Sequence, residues 1–429
     1  MKGTIRQIAG TAATRLACMV LGAVTGVVVA RALHPEGRGA FAVVMTLATI
    51  TLSVGHLSVE QAQMALWRDA RAMIPANAAL LGPVVGGFAA LTAAAVVAVL
   101  GRDVVPLSSV TLTGVALLSA PFGMTVLYLN SVLVLQARVD VVNRSLLITT
   151  LLQVAVLLGC AFTGTLTVAV AIWVWSVSVG FPLVVLIPAI RPRLRDRNLG
   201  FARRTVLFGL RYHAGFAALF LLMRLDVLIL NALSDAMAVG LYAAAVTVAE
   251  MSRILTDAAA QVATSRQAGG ELTDAAVVTA RATRLSTLLA CAAVGGVCVV
   301  APLAVPLLYG EAFRGSVAAL FALAPGMFAL GATRALGVYL LRLDRPVRMT
   351  AITVVAVAAN ILLCLVLIPR WGIVGCALAS SACYVAVAGC QVAWFVRATG
   401  VPLTGLLPGR AEIVRLRRTV AARSGSTGD

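Results

Sequence analysis

The stretch VLFGLRYHAGFAALFLLMRLDVLILNALSDAMAVGLYAAAVTVAEMSRILTDAAAQV, residues 206–262, is apolar enough to cross a bilayer twice, with a break at Asn231–Asp235. It nevertheless carries Arg211, His213, Arg224, Asp226, Glu250, Arg253 and Asp257. A charge near the middle of a bilayer helix costs about 2.5–3.5 kcal/mol on insertion scales. A hairpin that keeps several such groups must shield or pair them, and this one reads as the polar centre of an apolar chain.

The flanking sequence has the same apolar character. Of 429 residues, 61% are hydrophobic and 12% charged, and the mean hydropathy is +1.00. A soluble domain is about 25% charged. The apolar runs suit a hydrocarbon core of about 30 Å, and the alternating segments of a transmembrane barrel are not visible. The expectation is an all-α membrane protein with twelve transmembrane helices, at 9–32, 40–62, 79–100, 108–135, 145–163, 166–190, 206–232, 237–263, 285–309, 316–341, 349–368 and 372–396. Residues 9–32 read as a retained first span, because Arg15 interrupts the apolar run and no small-residue cleavage site closes it.

The basic residues set the orientation. Most arginines fall in connections that share a side with the N-terminus, whereas Arg31, Arg38, Arg102, Arg314 and Arg370 fall on the other. The positive-inside rule then places both termini in the cytoplasm. The same rule accounts for the net charge of +18 without nucleic acid as a partner. The longest interior break, RPRLRDRNLGFARR at 191–204, divides the chain. The expected domains are a six-helix lobe at 1–190, a basic cytoplasmic linker at 191–205, a second six-helix lobe at 206–397 and a basic, partly disordered tail at 398–429.

Internal repetition supports two halves. APFGM at 120–124 in span 4 matches APGM at 324–327 in span 10. ALHPEGRGAFA at 32–42 matches ALSDAMAVGLYA at 232–243 across a one-residue gap, so that Gly39 meets Gly240 and Phe41 meets Tyr242. Two six-span repeats of one orientation are related by a pseudo-two-fold axis along the membrane normal. Pro121 and Pro325 then read as points where spans 4 and 10 flex, or as prolines that membrane helices tolerate.

Several chemistries are excluded. No phosphate loop of the G-x-x-x-x-G-K-S/T type occurs. All eight cysteines lie inside apolar runs, against a disulfide framework, and Cys376, Cys383 and Cys390 read as small residues at helix contacts rather than metal ligands. No cofactor, metal or catalytic residue is expected.

The charged set carries the functional reading. Glu250, Arg253 and Asp257 fall within about 60° of one face of an ideal helix. They form either a self-paired ladder or a polar wall that contacts cargo or couples transport. Arg224 and Asp226 point about 200° apart on an ideal helix, so one faces a cavity and the other a neighbouring helix, or the helix is irregular there. Arg224, a planar fork of donors suited to phosphate, is the foremost substrate contact. Arg211 and His213 either reach the interface or, for His213, sit hydrogen-bonded or titrate. Arg15, Glu60 and Arg334 complete the set. Spans 1, 2, 7, 8 and 10 thus hold charge.

The segments VVVARALHPEGRGAFA (27–42), MRLDVLIL (223–230) and NILLCLVLIPRWGIVGCALA (360–379) resemble polysaccharide flippases of the Wzx type. These belong to the multidrug/oligosaccharidyl-lipid/polysaccharide exporter superfamily, with the lipid II and MATE transporters. The resemblance runs to about residue 400. It implies two six-helix lobes in a V, with spans 1, 2, 7 and 8 lining a central cavity. It further implies a cargo of undecaprenyl-pyrophosphate-linked oligosaccharide, flipped from the inner to the outer leaflet of a bacterial cell membrane by alternating access. Arg15, Arg224, Arg253 and Arg334 are the expected substrate-binding residues, and Glu60, Asp226, Glu250 and Asp257 the coupling or cavity charges. The extra lipid-groove helices of lipid II flippases are missing, which weighs against a lipid II role. The expected partners are the lipid-linked oligosaccharide, membrane lipids, a polysaccharide polymerase and glycosyltransferases, for a monomeric protein that is not an enzyme. The alternative is a MATE-like cation-coupled exporter of small molecules.

Overall fold

The computed structural model describes residues 2–100, 110–267, 272–342 and 346–409. Among them every regular element is helical. The connection around Arg102 and the tail beyond 409 lie outside the described residues. The helices are α1 (Lys2–Gly55), α2 (Val59–Ala70), α3 (Ile74–Leu100), α4 (Val110–Leu118), α5 (Ala120–Leu135), α6 (Val139–Phe162), α7 (Val168–Gly180), α8 (Leu183–Ile190), α9 (Leu199–Leu233), α10 (Ala236–Met251), α11 (Ile254–Gln267), α12 (Leu272–Tyr309), α13 (Ser316–Ala332), α14 (Arg334–Arg342) and α15 (Pro346–Thr399).

These helices reproduce the twelve expected spans once two joins and five breaks are recognised, the first break at His56–Ser58, where span 2 passes from α1 to α2. A straight helix of 54 residues would run about 80 Å, far beyond a bilayer. α1 instead turns at His34 (φ 57°), directly before Pro35, and so contains spans 1 and 2. α15 turns at Gly372 (φ 55°) and contains spans 11 and 12. The breaks divide single spans. Span 4 is α4 and α5, parted at Ser119. Span 6 is α7 and α8, parted at Phe181–Pro182. Span 8 is α10 and α11, bent by 43°. Span 10 is α13 and α14, parted at Thr333.

The packing is that of a membrane protein. Phe88, Leu91, Val99, Phe162, Val299, Leu303 and Leu362 all stand exposed on helix surfaces. In water such a belt would aggregate; in a bilayer it meets lipid. With no hydrophobic drive between helices in lipid, close approach through small residues holds the spans together. A Cβ at Gly82 would overlap Thr125, and one at Gly86 would lie 2.5 Å from Pro121 Cα, so α3 and α5 cross at backbone contact. Around them Ile74, Leu81, Val85, Met124, Tyr128, Leu129 and Leu133 form a core. Gly326 in α13 does the same against α15. Its N–H donates to Ser381 Oγ at 2.8 Å, and a Cβ there would lie 2.7 Å from Ser381 Cα.

By packing, the chain forms two compact units: Met1–Ala243 with Pro306–Phe313, and Ala244–Val305 with Arg314–Asp429. Span 7 therefore packs with the first unit, although it begins the second sequence repeat. Within that unit the repeat leaves a direct trace. A Cβ on Gly39 would overlap the carbonyl oxygen of Ala236, and a Cβ on Gly240 would overlap that of Pro35. The shift that carries Pro35 to Ala236 also carries Gly39 to Gly240, so the matched hairpins cross by a local two-fold exchange. Also within this unit, Arg31 Nε donates to Leu308 O at 2.7 Å and Nη2 to Leu307 O at 2.5 Å, satisfying carbonyls at the C-terminus of α12.

Pro121 stands at the start of α5, just after the break in span 4. Pro325 lies inside a continuous α13, and span 10 instead breaks eight residues later, at Thr333.

Candidate functional site

The charged residues fall into separate groups, one set in each unit. In the first unit, α9 carries Arg224 and Asp226. Their divergence on a helix holds. Asp226 is 2% exposed and faces α10, where Tyr242 Oη donates to Oδ2 at 2.5 Å. Its Oδ1 also accepts the N–H of Val227 at 2.9 Å. Asp226 is thus the member of the pair that faces a neighbouring helix, and Arg224 is half-buried on another face. Arg15 stands exposed on α1. Glu60 sits in the first turn of α2, where His56 Nδ1 lies 3.0 Å from Oε1.

His213 does not reach the interface. It is 7% exposed, with Nε2 at 2.7 Å from Val54 O and Nδ1 at 3.2 Å from Ser58 Oγ. Arg211, two residues earlier, is exposed.

In the second unit the expected ladder of Glu250, Arg253 and Asp257 is broken by the backbone. Ser252 and Arg253 leave the helix, and the halves on either side are bent by 43°. A common face over residues 250–257 requires one straight helix, and span 8 is not one. Glu250 closes α10, Arg253 lies in the break, and Asp257 stands in the first turn of α11. The N–H of Arg253 still bonds Glu250 O at 3.1 Å, and that of Asp257 bonds Arg253 O at 2.8 Å, so the chain re-enters a helix at once.

Asp257 finds a partner on another span. Arg334 Nε lies 2.8 Å from Asp257 Oδ1. This is an ion pair rather than an aligned hydrogen bond, with both side chains a little under half exposed. The adjoining backbone explains the approach: a Cβ on Gly331 would lie 3.3 Å from Thr256, so α11 and α13 touch through a glycine. Arg334, at the start of α14, and Asp257, at the start of α11, thus join the breaks of spans 10 and 8. Among the described residues no group of His, Cys, Asp or Glu has a metal-holding arrangement.

Two further residues belong to these groups, and local spacing alone does not single them out. His56 was audible only as the i, i+4 partner of Glu60. Tyr242 was matched to Phe41 in the repeat, yet its hydroxyl is what distinguishes it, as the donor to buried Asp226.

A family model described as "Polysaccharide biosynthesis protein" matches residues 28–318. No curated protein matches the chain. Among solved structures it is similar to an inward-facing multidrug resistance MATE family transporter of the MOP superfamily, at TM-score 0.72 and 13% identity, covering 89% of this chain and 94% of that one. It is also similar to the lipid II flippase MurJ in an inward closed conformation, at TM-score 0.68 and 10% identity, over 92% of this chain and 88% of that one. A MOP superfamily transporter from Pyrococcus furiosus gives TM-score 0.63 and 14% identity, over 92% and 94%. At these identities the likeness establishes the fold alone: an all-α, two-lobe arrangement of twelve membrane helices.

Proposed function

Because the chain belongs to the polysaccharide biosynthesis protein family, we propose that it flips an undecaprenyl-pyrophosphate-linked oligosaccharide from the inner to the outer leaflet of a bacterial cell membrane. The observation that carries this reading is the half-buried Arg224 on α9, a guanidinium kept inside an apolar span. A pyrophosphate is the part of such a cargo that most needs a partner in the bilayer, and a planar fork of donors matches it. Arg224 and Arg253 are the leading contacts, with Arg15 beside them. Arg334, already paired with Asp257, holds the breaks of spans 8 and 10 in register and reaches cargo only if that pair opens. Glu250 and Glu60 supply further charge, and Asp226 holds α10 against α9.

The reading extends to cytoplasmic termini, to repeats that meet at the linker 191–205, to alternating access and to a monomeric, non-enzymatic protein. It works beside a polysaccharide polymerase and glycosyltransferases. The test is deletion of the gene followed by a leaflet-resolved assay of labelled lipid-linked repeat units. The units should accumulate in the inner leaflet; normal outer-leaflet accumulation overturns the proposal. A MATE-like exporter would instead confer drug efflux dependent on Glu250 or Asp257.

A further inference from the structure

The segment that joins α8 to α9 is strongly basic and also folded. Residues 191–204 hold Arg191, Arg193, Arg195, Arg197, Arg203 and Arg204 against one acid, Asp196. All six arginines are exposed, and so are Leu194 (55%) and Leu199 (70%) between them. A loop that only sets orientation needs positive charge and no fixed shape. This one is pinned along its length, within the first unit. Arg191 ends α8 in a left-handed conformation, with its N–H on Ile187 O at 2.8 Å. A 3₁₀ turn follows at Leu194–Asp196, where Asp196 N–H donates to Arg193 O at 2.9 Å. The N–H of Asn198 then donates to Oδ1 of buried Asn77 on α3 at 3.2 Å. Asn198 Oδ1 accepts Phe201 N–H at 2.9 Å and caps α9, and Ala202 enters the core beside Ile74 and Leu186.

The surrounding helix ends add to this charge. Arg138, at the start of α6, donates through Nη1 to Ala189 O near the end of α8 at 2.6 Å. Arg68 and Arg71 stand exposed at the end of α2, with the Arg71 guanidinium 5.5 Å from the Trp67 ring centre. Asp69, Asp140 and Asp196 offset only part of the sum. Guanidinium groups and leucines thus alternate on a fixed ledge at the end of the apolar spans. That is the chemistry of a membrane-surface anchor: leucines reach below the phosphates while guanidinium forks meet phosphate oxygens. A zwitterionic headgroup brings its own cation to the phosphate. An anionic one leaves that charge to the arginines.

We infer that residues 191–204 form a preformed docking surface for the headgroups of anionic phospholipids. Arg193, Arg195 and Arg197 supply the phosphate contacts, and Leu194 and Leu199 the apolar hold. The pinning to Asn77 matters because the arginines are presented without first ordering a loose chain. Placement in the cytoplasmic leaflet rests on the proposed orientation. The surface itself does not, and it is independent of cargo.

The test uses the full chain in phosphatidylcholine nanodiscs. These carry a trace of photoreactive phosphatidylglycerol or, in parallel, of photoreactive phosphatidylcholine. After irradiation, mass spectrometry reads the labelling of peptides from 191–204, with the connection 163–167 at the other end of α6 as internal reference. An arginine near an anionic surface is worth about fivefold in binding. Phosphatidylglycerol should therefore label the linker about fivefold or more above phosphatidylcholine, and unlabelled phosphatidylglycerol should compete. The preference should collapse near 1 M salt, where the screening length is about 3 Å. The triple variant Arg193→Gln, Arg195→Gln, Arg197→Gln should lose most of it, and the corresponding lysine variant should keep much of it. Asn77→Ala retains every charge but removes the acceptor that holds Asn198, and should lower the preference severalfold. Gel filtration confirms that each variant is folded; if Asn77→Ala is not, the triple glutamine variant decides. Equal labelling by the two lipids, wild-type preference in the triple glutamine variant or in folded Asn77→Ala, or competition by undecaprenyl phosphate but not by phosphatidylglycerol overturns the inference.

Discussion

The crossing of the two matched hairpins gives a sharp stability prediction. At Gly39 a methyl group would occupy the space of the Ala236 carbonyl oxygen, and at Gly240 that of the Pro35 carbonyl oxygen. Both obstacles are backbone, so no rotamer change relieves them, and α10 must withdraw from the chain that follows Pro35. Overpacking costs about 1–3 kcal/mol, and a backbone clash belongs at the upper end. Alanine gains about 1 kcal/mol over glycine in a helix interior, which opposes the clash. The clash wins, and Gly39→Ala or Gly240→Ala should each destabilise by about 2 kcal/mol. The two sites share one crossing, so helices parted by the first methyl admit the second cheaply. The double variant should cost at least about 1 kcal/mol less than the sum. Gly87→Ala, where nothing lies within 4 Å of the added carbon, is the control and should be neutral or stabilising. Equilibrium unfolding in detergent micelles measures all four. Neutral single variants, or a double variant that is additive, would refute the local two-fold crossing.

Three further outcomes follow from the polar groups. Asp257→Arg and Arg334→Asp should each impair transport in the leaflet-resolved assay, and the double charge swap should recover most of the loss; no recovery would mean that the 2.8 Å pair does not join spans 8 and 10. Arg224→Ala should reduce transport more than Arg15→Ala, because Arg224 is half-buried and Arg15 exposed, with Arg224→Lys in between; equal effects would remove Arg224 from the lead. Tyr242→Phe removes a charge-assisted donor from buried Asp226 and should cost about 1.5–3 kcal/mol in thermal or denaturant unfolding; an unchanged midpoint would show that the hydroxyl carries no stability.

The spans and the repeat were legible because both are written in composition. Long apolar runs must be helices in lipid, where no other backbone satisfies its own hydrogen bonds. Small residues must mark crossings, so Gly39 and Gly240 could be paired before their contact was known. The breaks were not legible. Proline accompanies the breaks in spans 4 and 6, but none lies at His56–Ser58, Ser252–Arg253 or Thr333. Helical periodicity assumes a straight axis, and the break at Ser252–Arg253 removes that premise for Glu250, Arg253 and Asp257. Partner choice was hidden for a related cause: Asp257 pairs with Arg334 and Asp226 with Tyr242, across chain separations on which local spacing is silent. What spacing did carry was exclusion, since two residues two apart on α9 cannot share a face. Which of the two meets the neighbouring helix was not legible from spacing; the hydroxyl of Tyr242 on buried Asp226 decides it.

The central claim is that this chain moves a lipid-linked oligosaccharide across a bilayer. The most direct measurement is purified protein in proteoliposomes, with a fluorescent undecaprenyl-pyrophosphate-linked oligosaccharide and a membrane-impermeant quencher or glycosidase. The protected fraction should fall well below that of protein-free vesicles, and Arg224→Ala should restore most of the protection. A protected fraction equal to that of empty vesicles, with folded protein inserted, would contradict it.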